Sequence, residues 1–262
     1  MQTGAPPRRR KALVTGASYG IGAAIALELA NDGFDLALSA TRIQNLDATT
    51  AKAEAAGARV VPLALDLRSH DSIKRATDAA IEAFDWLDLV VNNAGVPLRK
   101  AALDISPDEW NAVIETNLTG TFFVCQTVAR HFISRRQPGC IINLASTHGV
   151  VGYAGVAVYG ISKAAIIHLT KTLAVEWAEH GIRVNAIAPG TVDTPSRATA
   201  LNDAQFRQGI LSRVPLHRFG TVEEMASAVR YFASPSAAYV TGQTLILDGG
   251  VTACGGRGIG PK

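Results

Sequence analysis

Seven short apolar runs, at 12–15, 36–39, 60–64, 87–92, 140–145, 183–188 and 244–247, recur along this chain with longer segments of helical character between them. The runs are rich in Val, Ile and Leu and hardly alternate with polar residues, as strands do when both faces are covered. Strands that alternate with helix-length segments build βαβ units, and therefore a parallel sheet flanked by helices. Helices are expected at 21–32, 41–56, 70–84, 107–134, 159–180 and 222–233. Ser106-Pro107 and Thr221 stand where they can cap two of these helices at their starts. Gly33, Gly57 and Gly181 follow three of them, in the position where a left-handed residue ends a helix. The fold class read from this pattern is α/β: a doubly wound, mostly parallel seven-stranded sheet with helices on both faces.

No repeat or low-complexity linker divides the 262 residues, and 48% hydrophobic against 18% charged residues is enough apolar material for one well-buried domain. The expected division is a flexible basic leader at 1–10 and a single domain at 11–262. Within that domain the least regular stretch, 190–215, has the length of a lid or binding loop. The net charge of +3 is exceeded by Arg8, Arg9, Arg10 and Lys11 alone. The rest is close to neutral, which argues against a nucleic-acid surface. Cys125, Cys140 and Cys254 lie far apart without CxxC spacing, so no metal site is expected. A reduced cytoplasmic protein is the reading favoured over one with a single disulfide. Thr15, Gly16, Ser18 and Gly20 interrupt the first apolar run too early for a signal peptide, and no stretch is long enough to span a bilayer.

The first run leads into Gly16-Ala17-Ser18-Tyr19-Gly20-Ile21-Gly22 and then an apolar helix. A strand, a glycine turn and a helix N-terminus together form an anion site, because free N–H groups and the positive helix end face the ligand. The spacing is GxxxGxG rather than GxGxxG, and a tight turn with packing glycines would look the same. The second run ends at Ser39, where dinucleotide folds meet the adenosine ribose. Ala40, Thr41 and Arg42 follow it, with no carboxylate to repel a 2′-phosphate. A guanidinium there can bind that phosphate bidentately, so NADP(H) is favoured over NAD(H). The alternative for Arg42 is an ordinary exposed residue at a helix start.

Tyr159 and Lys163 stand four apart at the start of a helical segment, hence on one face. Ser146 lies just beyond a strand end, where parallel sheets collect ligands. A free tyrosine, with a pKa of about 10, is a poor base at neutral pH, and a neighbouring ammonium favours its phenolate. A serine hydroxyl can hold a reacting oxygen near it.

These motifs together resemble the short-chain dehydrogenase/reductase family, from about Lys11 to Gly250. They occur in the family's order: 15–22 (TGASYGIG), Asp66-Leu67, Asn92-Asn93-Ala94-Gly95, Asn117, Ser146 with Tyr159 and Lys163, and Pro189-Gly190 through Thr194. The resemblance implies a Rossmann-like, dinucleotide-binding catalytic domain that transfers a hydride between a nicotinamide and a carbonyl or secondary alcohol. By the same resemblance, Tyr159 is the general acid/base, Lys163 lowers its pKa and binds the ribose, and Ser146 orients the carbonyl. Asn117 matches the residue that holds a water linking Lys163 to solvent. The implied cofactor contacts are Gly16, Ser18, Tyr19, Gly20, Ile21, Gly22, Thr41, Arg42, Asp66, Leu67, Asn93, Ala94, Gly95, Tyr159, Lys163, Pro189, Gly190, Val192 and Thr194. Two positions depart from NADP-preferring members, many of which carry Arg or Lys at Tyr19 and Arg at Thr41.

His148, Tyr153 and the loop residues Ser196, Arg197 and Asn202 are expected near the substrate. The run 176–185 (EWAEHGIRVN) and the Asp248-Gly249-Gly250 turn are similar to family members acting on sugars, sugar acids or polyols. The alternative is a 3-oxoacyl-thioester (acyl-carrier-protein) reductase. A non-catalytic nucleotide-sensing protein would be expected to lose one of Asn117, Ser146, Tyr159 and Lys163, and a methyltransferase has no use for YxxxK. The segments 107–134 and 159–180 carry many apolar residues, among them Trp110, Phe122, Phe123, Ile166, Leu169, Leu173 and Trp177. More apolar positions than one face needs point to an interface, and a homotetramer is expected.

Overall fold

A strand buried at every residue must have a neighbour on each edge and a layer on each face. The strand β2 (Phe34–Ala40) is buried in that way along all seven positions. The computed structural model describes residues 8–195 and 203–254 and places β2 inside a seven-stranded sheet. The other strands are β1 (Arg10–Thr15), β3 (Val60–Ala64), β4 (Leu89–Asn92), β5 (Gly139–Leu144), β6 (Ile182–Pro189) and β7 (Thr244–Leu247). Their order is β3-β2-β1-β4-β5-β6-β7, and every pairing is parallel. The winding therefore changes direction between β1 and β4.

The helices are α1 (Gly20–Asn31), α2 (Asp47–Ala55), α3 (His70–Phe84), α4 (Pro107–Ile114), α5 (Gly120–Ser134), α6 (Ala157–Trp177), α7 (Ala204–Leu211) and α8 (Val222–Ala233). Ile25 and Leu29 of α1 and Val229 and Phe232 of α8 pack on one face of the sheet. Ile73 of α3, Phe132 of α5 and Leu173 of α6 cover the other. Ser106 and Thr221 start α4 and α8 with full capping boxes, closed by Glu109 and Glu224. Gly33, Gly57 and Gly181 are left-handed, at φ 82°, 86° and 71°.

Four sequence expectations differ from the structure. The helix expected at 41–56 starts as a 3-10 turn, Ile43–Leu46, before α2. The helix expected at 107–134 is divided by a π turn, Glu115–Thr119, which sets Asn117 inward and buried. Periodicity alone carries no sign of an extra residue in a turn. The stretch 190–215 contains α7, and its base is closed by a bridge between Val192 and Gly220. Finally, the leader ends earlier than expected. Arg10 is the first residue of β1 and pairs with Asp32 at 2.6 Å, and Arg9 pairs with Asp35 at 2.9 Å.

The apolar residues of these two segments divide between core and surface. Ile166, Leu173 and Trp177 are buried, and Phe122, Phe123 and Leu169, partly buried, pack against the cluster of Leu173 and Trp177. Of that group Trp110 is exposed, and the large exposed apolar side chains of α6 are Ile161 and Val175.

Candidate active site

Where the winding reverses, the segments leaving β1 and β4 diverge, and parallel sheets bind ligands in the crevice this opens. A cleft of ≈ 820 Å³ occupies that point, running from the end of β2 to the end of β6.

The chain leaves β1 through Gly16 and Gly20, both left-handed at φ 65° and 61°. A Cβ at Gly16 would lie 2.8 Å from Ala94 Cα, and one at Gly22 would lie 2.3 Å from Gly16 O. Only glycine closes this turn. Asn93 fastens it from β4: its Nδ2 donates to Thr15 O at 3.0 Å and to Gly16 O at 2.8 Å. Thr15 Oγ1 accepts in return from the N–H groups of Asn93 and Ala94. The helix α1 has no side-chain cap and no acidic residue in its first turn. Its leading N–H groups and positive end thus meet the cleft, which suits a pyrophosphate. The cradle fits a dinucleotide. Gly16, Ser18, Tyr19, Gly20, Ile21 and Gly22 all line the cleft.

At the end of the cleft next to β2, Thr41, Asp66 and Leu67 line it, beside Ala94 and Gly95. Arg42 does not. It is exposed and extended (φ −129°), just ahead of the 3-10 turn. Asn45, which that turn folds back, and Arg68 line the cleft instead. Asn45 had no sequence signal, because a straight helix would have carried it elsewhere. Arg68 binds Asp66 through two hydrogen bonds of 3.2 and 3.1 Å, which hold the Asp66 carboxyl below the usual carboxylate range.

Ser146, Tyr159 and Lys163 come together at the other end, all lining the cleft. Ser146 follows β5 closely, while Tyr159 and Lys163 occupy successive turns of α6. Lys163 is 5% exposed, its Nζ donates to Leu144 O at 2.7 Å, and it lies 5.8 Å from the centre of the Tyr159 ring. Burial pushes its ammonium down to about 8. A Cβ at Gly95 would stand 3.4 Å from Lys163 Nζ and 3.1 Å from Asn117 Oδ1, so both groups converge behind that glycine. Asn117 itself is buried outside the cleft lining. Its Oδ1 accepts from Val96 N–H at 2.7 Å, and its Nδ2 donates to Val96 O at 3.0 Å and Ser162 Oγ at 3.1 Å.

His148 and Tyr153 stand beside this group rather than in the cleft lining. The His148 ring lies 3.2 Å from Ser146 Oγ through Nδ1, 4.7 Å from the Tyr153 ring and 5.8 Å from that of Tyr159, centre to centre. Burial, followed by the Asp248 charge, pushes the Tyr153 phenol above its ordinary value. Arg197, with Ser196 and Asn202, lies outside the described residues. Pro189, Gly190, Val192 and Thr194 line the cleft. Thr194 closes over the glycine turn, its Cγ2 3.7 Å from where a Gly20 Cβ would be. Among the described residues no cluster of His, Cys, Asp or Glu could hold a metal ion, and no helix is long and apolar enough to cross a membrane. Cys125 and Cys140 are buried thiols, Cys125 raised by burial to about 12.

Comparison with known proteins gives the same picture over nearly the whole chain. A family model described as enoyl-(acyl carrier protein) reductase matches residues 16–252. A 3β-hydroxysteroid dehydrogenase from Eggerthella lenta is 39% identical over 241 residues, covering 92% of each chain. A 3-oxoacyl-(acyl-carrier-protein) reductase from Thermotoga maritima is 38% identical over 239 residues, covering 91% of this chain and 96% of its own. The crystal structure of a gluconate 5-dehydrogenase from Burkholderia cenocepacia, in complex with NADP and tartrate, superposes with a TM-score of 0.88 at 34% identity, covering 93% of this chain and 95% of that one.

Proposed function

The chain belongs to the short-chain dehydrogenase/reductase family and is an NAD(P)-dependent oxidoreductase; on that premise we propose that it acts on the carbonyl or secondary alcohol of a sugar, sugar acid or polyol. The observation that carries this reading is the convergence of Ser146, Tyr159 and Lys163 at one end of the cleft, with Tyr153 nearby, its ring 4.7 Å from that of His148. A hydroxylated substrate needs several hydrogen-bonding groups next to the reacting oxygen, and this end of the site has them. The relative from Burkholderia cenocepacia was solved with a hydroxylated diacid, tartrate.

A nicotinamide dinucleotide, when bound, supplies or accepts the hydride. The protein's own residues handle the oxygen and its proton. In reduction the Ser146 hydroxyl holds the carbonyl oxygen and Tyr159 gives it a proton; in oxidation the Tyr159 phenolate takes the alcohol proton. Lys163 stabilises that phenolate by its charge. Asn117 holds the loop at Val96 against α6, and with it the water through which the proton reaches solvent. A screen of NADPH oxidation against ketoses, keto acids and 3-ketoacyl thioesters tests the substrate class. Turnover confined to the thioesters would replace this reading with an acyl-chain reductase, the activity named for the Thermotoga maritima relative.

The preferred cofactor is NADP(H). No carboxylate directly follows β2, and Arg42, exposed and two residues beyond it, is the cation we assign to a 2′-phosphate although it does not line the cleft in this structure. Removing one partly exposed cation–phosphate contact costs about 1.5–3 kcal/mol, or about ten- to a hundredfold in affinity. Arg42→Ala should therefore weaken NADPH far more than NADH in a titration. Equal losses, or a wild-type preference for NADH, would count against it.

The assembly is a homotetramer of the cytoplasm. A closed tetramer with perpendicular two-fold axes needs two separate self-complementary patches. Ile161 and Val175 of α6 and Trp110 of α4 are exposed apolar side chains on the two helical segments expected at one dimer contact. Leu245 and Ile246 of the edge strand β7, on its opposite faces, and Tyr231 and Tyr239 are further exposed apolar side chains. Light scattering at micromolar concentration should give four times the chain mass of 27.5 kDa. A mass near that of one chain would refute it.

A further inference from the structure

Ser146 is the group that must aim a proton at the reacting oxygen, yet a serine hydroxyl rotates freely unless its lone pairs are taken. It has one proton and two acceptor sites. Two groups of His148 face its oxygen. The backbone N–H of His148 donates to Ser146 Oγ at 3.2 Å, and the ring Nδ1 lies at the same distance, 3.2 Å. We propose that His148 is a positioning residue: its backbone N–H and its ring Nδ1–H together fill the acceptor sites of Ser146 and leave the serine proton directed into the cleft. The proposal rests on the reading of Ser146 as the hydroxyl that holds the substrate oxygen.

The surroundings hold His148 in that pose. The 3-10 turn Thr147–Gly149 that carries it is pressed onto α6. A Cβ at Gly149 would lie 2.5 Å from Lys163 C, and one at Gly160 would lie 2.9 Å from His148 O. The turn therefore cannot shift without moving the helix that bears Tyr159 and Lys163. The ring is set at 57° to that of Tyr153 and at 70° to that of Tyr159, which fixes its plane. In this pose the ring serves Ser146 and not the substrate. A ring protonated only at Nε2 would do the opposite, since Nδ1 would draw the serine proton away from the cleft. A catalytic hydroxyl held in one direction before substrate arrives needs no reorganisation during the reaction.

Two measurements test this. The first needs no turnover: a long-range ¹H–¹⁵N spectrum of histidine-labelled protein, with the His148 ring identified by its loss in His148→Phe. The expected result is a protonated Nδ1 whose signal moves in Ser146→Ala. A neutral ring protonated at Nε2 alone, or a signal indifferent to Ser146→Ala, overturns the proposal. The second uses NADPH oxidation with 5-keto-D-gluconate and with acetoacetyl-coenzyme A. His148→Phe preserves the ring contacts and removes the donor. It should lower kcat about ten- to a hundredfold with KM changed less than about threefold, and should add nothing in the Ser146→Ala background. His148→Asn, which can present an amide N–H, should recover part of the loss. A raised KM with unchanged kcat, or losses that multiply with Ser146→Ala, would make His148 a substrate contact or a structural residue and overturn the proposal. If the wild-type protein reduces neither ketone, the substrate reading fails while the spectrum still decides the Ser146–His148 hydrogen bond.

Discussion

Tyr159→Phe is expected to lower kcat by about a thousandfold or more while leaving dinucleotide affinity within about threefold. The phenol oxygen is the one atom removed, and its proton transfer is the step that general acid–base catalysis accelerates, typically by about 10²–10⁴-fold. The ring stays, so its edge contact with His148 (5.8 Å between centres) and its place in the cleft wall are kept. The glycine turn and the uncapped start of α1 are built by another segment of the chain and do not depend on the phenol oxygen. Steady-state rates and a titration of dinucleotide binding check both halves. A variant with undiminished turnover sinks the mechanism. One that loses cofactor binding in proportion would show that the hydroxyl serves the cofactor instead.

Lys163→Met should inactivate the protein and at the same time stabilise it at neutral pH. The Lys163 pKa falls from the ordinary lysine value of 10.5 to about 8 because burial penalises the ammonium. That difference corresponds to about 3 kcal/mol of folding free energy at pH 7. The sign follows from proton counts. Between about 8 and 10.5 the unfolded chain holds more protons at this lysine than the folded one, so this group's contribution to stability rises with pH across that window. Below pH 8 the full penalty applies; above 10.5 it is gone. Methionine fills nearly the same volume and carries no charge, but it leaves Leu144 O without its donor, which takes back about 1 kcal/mol. The net gain expected at pH 7 is about 2 kcal/mol, shrinking toward pH 10. Urea denaturation of both proteins at pH 7 and pH 9.5 measures the difference and cancels the titrations they share. A variant less stable at pH 7, or a stability difference that does not change with pH, would show that the ammonium is compensated inside the fold. Lost stability at the centre of a working site is a common feature of catalytic groups.

Local chemistry decided much of this protein in advance. Covered strands need apolar residues on both faces, so the seven strands were visible as runs, with 60–64 and 244–247 right to the residue. Helix starts at Ser106 and Thr221 were visible because a cap is a matter of three adjacent residues. The glycine turn was visible because Gly16 and Gly20 adopt a conformation that other residues avoid. Ser146, Tyr159 and Lys163 could be placed together because two of them share a helix and the third sits at a strand end. What the tertiary structure decided depends on contacts between segments far apart in the chain. Arg68 rather than Arg42 lines the cleft next to β2 because Asp66 holds its guanidinium and a 3-10 turn redirects the start of α2. Asn117 is aimed by a π turn and secured by Val96 and Ser162, residues that no periodicity links to it. Ile166, Leu173 and Trp177 are the members of the apolar set on α6 that are buried in the core, because which face of α6 meets the sheet depends on the helices packed around it. Sequence periodicity reports that a side chain needs cover; only the assembled neighbours determine what supplies it.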